Sequence, residues 1–144
     1  MAEYRKVLVA VDLTDHSETV VRRAMDVAQA FGAEISLLHV VEYVPVEPMG
    51  EALLPAVDIE EELVHGAQRR LDDLARKTGL EGADRKVETG TIKAEVVRVA
   101  GEWQADLVVL GSRERHGVAV MLNLTEDTIL HAAPCDVLAV RVGN

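Results

Sequence analysis

Short apolar segments alternate along the chain with longer amphipathic ones, and the two kinds predict different elements. The first apolar segment, residues 5–12, is nearly continuous from Val7 to Val11, which is typical of a strand that is covered on both faces. Residues 16–32 instead space their apolar side chains three and four apart and end in Gly32, so they predict a helix. Strands are predicted over 5–12, 33–41, 84–90, 105–111 and 136–142, and helices over 16–32, 59–79, 91–104 and 124–133.

Spacing within the predicted helices indicates which side chains face the core. The inward-facing side chains are predicted to be Val20, Ala24, Val27 and Phe31 in the first helix, Ile59, Leu63, Ala67, Leu71 and Leu74 in the second, and Ala94, Val97, Ala100 and Trp103 in the third. Residues 42–58 hold three of the four prolines and are predicted to form no long regular element.

The alternation of strands and helices predicts a doubly wound α/β fold with a five-stranded parallel sheet. The first and fourth strands are the most apolar and are predicted to be central, whereas the third, residues 84–90, is polar and suits an edge. The expected strand order is 3-2-1-4-5, with helices on both faces, in one domain over residues 1–144. The order changes direction between the first and fourth strands, and ligands of open α/β sheets bind at the carboxyl ends of strands at such a point. We therefore expect Asp12 and Gly111 to lie in one crevice.

Charge and composition exclude several classes of function. The 25 acidic and 15 basic residues give a net charge of −10, which disfavours nucleic acid as a partner. The apolar run near the N-terminus is too short for a signal segment or a membrane span, so we expect no membrane insertion and a cytoplasmic location. The single cysteine, Cys135, cannot form an internal disulfide, which agrees with a reducing compartment.

The sequence predicts no catalytic residue and no metal site. The five histidines are scattered and form none of the close pairs that zinc sites use, and His39, within an apolar strand, is predicted to be a hydrogen-bonded core residue. Ser17 follows a histidine, but the Gly-x-Ser-x-Gly turn of hydrolases is missing from the sequence. Cys135 has no base beside it in the sequence and is predicted to be a packed thiol.

Four segments, taken in order, resemble the universal stress protein family over essentially the whole chain. They are "KVLVAVDLT", "ISLLHVV", "ADLVVLGSRERHG" and "HAAPCDVLAVRV". The resemblance implies that Asp12 lies at the adenosine side of a bound nucleotide, near ribose hydroxyls or a metal, and that the backbone of Val40 meets the adenine. By their residue types alone, Asp12 also suits the cap of the next helix or turn, and Val40 suits the core.

The loop after the fourth strand departs from the glycine motif of the nucleotide-binding relatives. That motif has Gly, two residues, Gly, nine residues, and Gly followed by Ser or Thr, because glycine lets backbone N–H groups approach phosphates. Gly111 with the following Ser112, and Thr125, match the motif, but Glu114 and Leu124 occupy the other two glycine positions. At about 4 Å and an effective dielectric near 20, the Glu114 carboxylate would repel a phosphate charge by roughly 4 kcal/mol at most, and by less where its side chain turns into solvent. Leu124 adds a side chain where the backbone must come close to the ligand.

The pattern is closer to the A-type branch of the family, whose members lack the glycine motif, and it predicts weak or absent binding of Mg-ATP. The alternative is a protein that binds ATP or AMP, with Mg if ATP is bound, between Asp12 and the loop of residues 111–125, and that hydrolyses ATP slowly at most. Arg113 and Arg115 favour this alternative if they pair with phosphate oxygens, but pairing with Glu114 or exposure to solvent suits them better. A phospho-accepting receiver domain has a similar sheet, but the third strand here ends "VETG" without the required aspartate, and the last strand offers Arg141 rather than a lysine.

The last strand, residues 136–142, is predicted to form the interface of a homodimer. It is apolar on both alternations, and an open apolar edge would invite uncontrolled pairing. Antiparallel pairing with its own copy satisfies a two-fold axis, and the resemblance also implies dimerisation through this strand. The candidate interface residues are Val137, Leu138, Ala139, Val140, Arg141 and Val142.

Overall fold

The computed structural model describes residues 3–42, 53–112 and 129–142. Its strands are β1 (Lys6–Ala10), β2 (Glu34–Val41), β3 (Asp84–Thr89), β4 (Leu107–Ser112) and β5 (Asp136–Arg141). Its helices are α1 (Ser17–Phe31), α2 (Leu53–Thr78) and α3 (Ile92–Trp103), and residues 129–132 are also helical.

The five strands form one parallel sheet of order β3-β2-β1-β4-β5, which confirms the predicted order. Burial explains this order. Val7, Leu8 and Val9 of β1 and Val108 and Val109 of β4 are fully buried, as expected of central strands covered on both faces. Every residue of β3 is at least partly exposed, and its place at the edge spares its charged side chains from burial.

Two apolar clusters lie on opposite faces of the sheet, so helices cover both faces as predicted. The first contains Val20, Val21 and Ala24 of α1 and Leu71 and Leu74 of α2, packed against the sheet. The second contains Val96, Val99 and Ala100 of α3 together with Ile129.

Two of the helices begin or end as their sequences predict. Gly32 follows α1 in the left-handed conformation, at φ 66°, and its N–H meets the carbonyls of the last turn, the role for which glycine is suited. Thr91 precedes α3, and its side chain accepts a hydrogen bond from the N–H of Ala94. Gln104 ends α3 at φ 59°.

The prediction that residues 42–58 form no long regular element is wrong for the last six of them, because α2 already begins at Leu53. Pro55 therefore lies in the first turn of α2. The N–H groups of the first turn have no acceptor within a helix, so a proline costs little there. Residues 43–52 lie outside the described residues.

The predicted inward faces of the helices are correct in part. In α3, Val96 and Val99 are buried, whereas the predicted Ala94 is exposed and Val97 is half-buried. Several small apolar residues in a row allow two registers of the helical period, and packing on the sheet selects between them. Phe31, Ile59 and Leu63 were also predicted to face inward, but each is about half exposed, at 47%, 46% and 45%. Residues 129–133 of the predicted helix 124–133 fall within the described part, and residues 129–132 are helical whereas Ala133 is not.

Within the described ranges, no helix combines the length and the apolar character that crossing a bilayer requires.

Candidate functional site

The carboxyl ends of β1, β2 and β4 lie side by side at one end of the sheet, where the strands terminate. Ala10 is opposite Leu38 in the β1–β2 register, so Asp12 and Val40 each lie two residues further on. Val9 is opposite Val109 in the β1–β4 register, and Asp12 and Ser112 each lie three residues further on. The sheet therefore places Asp12, Val40 and Ser112 at a common level at the switch point, where open α/β sheets bind ligands.

Asp12 is engaged in the turn that leads from β1 into α1. Its Oδ1 accepts hydrogen bonds from the backbone N–H of Thr14 at 3.1 Å, from the Thr14 hydroxyl at 2.7 Å and from the Ser17 hydroxyl at 3.1 Å. The turn-capping role that the residue type allowed is thus present. These three hydrogen bonds fix the direction of the Asp12 carboxylate, which lies just beyond the end of β1 at the switch point.

The turn itself is held in an uncommon backbone conformation. Leu13 has φ 60°, a left-handed value that costs a residue with a Cβ about 1–2 kcal/mol. Its side chain is 7% exposed and belongs to the first apolar cluster. Burial of this side chain is one of the contacts that offset the backbone cost.

Side chains from two other elements hold the backbone on either side of Asp12. His39 of β2 donates from Nδ1 to the carbonyl of Val11 at 2.8 Å, and the carbonyl can only accept, so this ring nitrogen carries the proton. The Arg70 guanidinium of α2 donates from Nη2 to the carbonyl of Leu13. His39 is thus hydrogen-bonded, as predicted, but it is half-buried rather than a core residue. Arg70 was not anticipated, because no local pattern joins it to a residue 57 positions away.

Val40 is a core residue with its backbone in the sheet. It is 7% exposed, packs in the second apolar cluster, and pairs in register with Glu88 of β3. The next residues close the end of this part of the sheet: the carbonyl of Val41 accepts a bond from the N–H of Gly90, and Glu42 accepts one from the N–H of Ile92 at 3.2 Å. Glu42 therefore places its negative charge at the N-terminus of α3, where the helix dipole favours it. Sequence reasoning missed this role.

Gly111 lies where β4 comes close to α1. A Cβ at this position would be 3.2 Å from Cγ2 of Val20 and 3.6 Å from Cγ2 of Val142. A Cβ at position 111 would therefore require Val20 to shift by a few tenths of an ångström, which favours glycine there apart from any phosphate. Ser112, the next residue, ends β4 opposite Arg141, and its carbonyl accepts a bond from the N–H of Val142 at 2.9 Å.

An open groove of about 290 Å³ lies between the β1–α1 turn and α2. Its lining carries both signs of charge, with Asp15, Glu18 and Asp73 beside Arg70 and Lys77. The mixture favours no single class of charged ligand. Thr125, Glu114 and Leu124, the other residues of the predicted loop, lie outside the described residues.

Cys135 lies at the opposite end of the sheet, just before β5. Burial, followed by the nearby Asp136 and Asp106 carboxylates, raises the pKa of its thiol above the ordinary value. A raised pKa keeps the sulfur protonated and poorly nucleophilic, which supports its interpretation as a packed thiol.

The Tyr4 hydroxyl donates to Asp136 at 2.7 Å, and this bond is the main cause of a raised pKa at Tyr4.

In the described ranges, β5 has β4 as its one neighbouring strand. Val140 and Val142 are buried within the protomer at 3% and 7%, while Ala139 and Arg141 are exposed. Val137 and Leu138 are half-buried and pack against opposite faces of the sheet. One face of the predicted interface strand, with Leu138, Val140 and Val142, therefore packs into the first apolar cluster, whereas its other face is exposed at Ala139 and Arg141. Within the described ranges its backbone edge away from β4 is also open.

Comparisons with known proteins agree with this architecture. A family model described as the Universal stress protein family matches residues 3–141. The chain is 32% identical over 143 residues to Universal stress protein A homolog 2 of Coxiella burnetii, covering 99% of this chain and 98% of that one. It is 33% identical over 138 residues to homolog 1 of the same organism, covering 95% and 96%.

Solved structures show the same fold. Universal stress protein UspA from Lactobacillus plantarum matches with a TM-score of 0.72 at 24% identity, over 98% of this chain and 100% of that one. A universal stress protein solved in complex with cAMP matches with a TM-score of 0.67 at 22% identity, over 99% and 100%. At these identities the structural matches establish the fold alone.

Proposed function

This chain belongs to the universal stress protein family, and on that premise we propose that it is a homodimeric regulatory protein of the stress response, without catalysis of its own. In this proposal its switch-point crevice binds Mg-ATP weakly or not at all. The protein would act through its own assembly and its contacts with other molecules, in the cytoplasm. The observation that carries the proposal is the presence of Glu114 and Leu124 at two of the three glycine positions of the nucleotide motif.

The use of Asp12 within its own turn supports weak nucleotide binding. Oδ1 already accepts three hydrogen bonds, from Thr14 and Ser17. A ribose hydroxyl would bond this oxygen by displacing one of these donors. The hydrogen bond lost within the turn would then offset part of the free energy gained from the new bond. Gly111 is no evidence for nucleotide binding, because close packing against Val20 also favours a small residue there.

A second candidate function is binding of an adenine nucleotide, ATP with Mg or AMP, between Asp12 and the loop of residues 111–125. The favouring observation is positional, since Asp12, Val40 and Ser112 share one level at the switch point. A universal stress protein has been solved in complex with cAMP, which supports a nucleotide-sized ligand for this fold. Hydrolysis in this candidate would be slow at most.

Calorimetry with Mg-ATP and with AMP separates the two candidates. We expect no Mg-ATP binding tighter than a dissociation constant of about 10 μM, which corresponds to roughly −7 kcal/mol. The double variant Glu114→Gly with Leu124→Gly should bind Mg-ATP more tightly than the parent, because it removes a repelling charge and a side chain. Tight binding by the parent would establish the second candidate. An unchanged double variant would show that another feature closes the site.

The proposed homodimer is supported by the open backbone edge of β5. Of its side chains, Asp136 and Arg141 carry charge, and the others are apolar. Sedimentation equilibrium at micromolar concentration should give a mass near twice 15.7 kDa. A monomer under these conditions would exclude the assembly.

A further inference from the structure

The two carbonyl groups that flank Asp12 are both held from outside the turn. His39 reaches Val11 from β2, and Arg70 reaches Leu13 from α2. These two elements are not neighbours of Asp12 in the sequence, and each supplies one donor to one carbonyl. The backbone on both sides of the Asp12 carboxylate is thus fixed by separate parts of the fold.

Of the two side chains, Arg70 is the one that bonds a residue in an uncommon backbone conformation. The carbonyl it bonds belongs to Leu13, whose φ of 60° is one of two left-handed values found at residues other than glycine in the described ranges. Left-handed residues with a Cβ persist only where their surroundings hold them. The β1–α1 turn would otherwise relax toward ordinary backbone angles, and the direction of the Asp12 carboxylate would change with it.

We propose that Arg70 and His39 are positioning residues that hold the β1–α1 turn so that Asp12 faces the switch-point crevice. The inference deepens the second candidate function and rests on it for the identity of the ligand, an adenine nucleotide. Arg70 touches no ligand in this scheme. It acts through Leu13, and the hydrogen bond from the Thr14 N–H to Asp12 Oδ1, at 3.1 Å, reports whether the turn is intact.

The side chains near Arg70 make it a clean target for substitution. Arg70 borders the open groove between the turn and α2, so its truncation leaves no sealed cavity in the core. Arg69 precedes it on the same helix and is also exposed. Arg69→Ala is therefore a matched control that removes the same charge and the same length of side chain without reaching Leu13.

The test measures amide exchange at Thr14 by NMR in the full chain and in the Arg70→Ala, Arg70→Lys and Arg69→Ala variants. We expect exchange at Thr14 to become about tenfold faster or more in Arg70→Ala, because a bond from a charged donor is lost. Exchange should be intermediate in Arg70→Lys, which keeps a donor but not the planar fork. Exchange should stay at the parental rate in Arg69→Ala. Amides of the central strand β1 should keep their protection in all variants, which distinguishes a local release of the turn from general destabilisation.

His39→Phe keeps an aromatic ring in the strand and removes the donor to Val11. Its expected effect on Thr14 exchange has the same direction as that of Arg70→Ala. Unchanged Thr14 exchange in both Arg70→Ala and His39→Phe would overturn the proposal. Equal acceleration in Arg70→Ala and Arg69→Ala would overturn it too, because the effect would then arise from charge rather than from the bond to Leu13.

Calorimetry with AMP and with Mg-ATP on the same variants tests the link to the ligand. If the parent binds AMP, Arg70→Ala should weaken that binding about tenfold, with Arg69→Ala unchanged. Equal AMP affinity in the parent and Arg70→Ala, despite faster Thr14 exchange, would overturn the link to the ligand and leave a purely structural role. If no nucleotide binds to the parent, the nucleotide role of the crevice is excluded, while the exchange results still decide whether Arg70 and His39 hold the turn.

Discussion

The two edges of the sheet differ in what they would present to another chain. Edge strand β3 carries Asp84, Arg85, Lys86 and Glu88, and all four form ion pairs: Arg85 with Asp72 at 2.8 Å, Lys86 with Asp84 at 4.0 Å, and Glu88 with Arg98 at 3.5 Å. Edge strand β5 has four apolar residues between Asp136 and Arg141. Charged side chains on an edge discourage the addition of a strand. The comparison indicates that charged side chains protect one edge, whereas the other edge lacks this protection.

The direction of the backbone groups in β5 refines this comparison. The N–H of Val142 donates to Ser112 of β4. Groups two residues apart in a strand point the same way, so the N–H of Val140 also faces β4. The N–H groups of Ala139 and Arg141 face the open edge. A proline in β5 therefore has a different consequence at each of two adjacent positions.

The largest effect is expected from Val140→Pro. It deletes a donor within the β4–β5 ladder and leaves an acceptor on β4 without its bond, which costs about 1–3 kcal/mol of unfolding free energy. Assembly should weaken as well, because β5 would no longer lie regularly beside β4. Urea unfolding measures the first effect and sedimentation the second. Parental stability in this variant would mean that the N–H of Val140 faces outward.

Ala139→Pro should weaken the dimer while leaving the protomer nearly as stable as the parent. Its N–H faces the open edge, where proline is tolerated in a single protomer. Two-fold pairing loses one such donor from each copy, about 2 kcal/mol in total or roughly 30-fold in the dissociation constant. Sedimentation at several concentrations measures the shift, with Ala139→Val as the control that keeps the N–H. An unchanged dimer would place the interface elsewhere.

A smaller effect is expected when charge is removed from the protected edge. The double variant Lys86→Val with Glu88→Val gives β3 an apolar row, so β3 edges should begin to pair and join dimers into larger species. Lys86→Arg with Glu88→Asp keeps both charges and should sediment as the parent does. The same sedimentation in both double variants would show that charge is not what protects β3.

The smallest effect is expected from Glu88→Gln, which removes the ion pair with Arg98. The two side chains are 36% and 40% exposed, and exposed ion pairs contribute about 0–1 kcal/mol. Arg98 also keeps Glu95 at 2.7 Å and Glu102 at 2.8 Å. The midpoint of unfolding in urea should therefore stay close to the parental value. A clearly lower midpoint would indicate that these charges stabilise the β3 edge as well as protecting it.

The strand order was predictable because burial and polarity differ strongly between strands. Continuous apolar residues in β1 and β4 and charged ones in β3 leave few other arrangements, and the structure confirms the one they predict. The start of α2 was not predictable in the same way. Prolines usually interrupt regular structure. Pro55 lies in the first turn of a helix, where backbone N–H groups have no acceptor within the helix and a missing one costs little.

The places of the candidate residues at the strand ends were predictable, but the contacts that hold them were not. Asp12 and Ser112 follow from the strand ends and the switch point, and both lie at the same end of the sheet. Arg70 could not be found, because its contact with Leu13 depends on how α2 crosses the sheet rather than on any local spacing. The left-handed conformation of Leu13 could not be predicted either, because leucine seldom adopts a positive φ and nothing in the sequence marks this one.

The contact at Gly111 bears on what substitution experiments report. A methyl group at this position would press on Val20 at 3.2 Å, closer than a well-packed interface accommodates without displacing its neighbours. In a library of all substitutions sorted only for folded, soluble protein, position 111 should therefore reject larger residues even in the absence of any nucleotide. Intolerance at this glycine would be a measure of how tightly α1 sits on the sheet. The effect of substitutions on ligand binding would have to be measured separately, at positions where substitution does not impair folding.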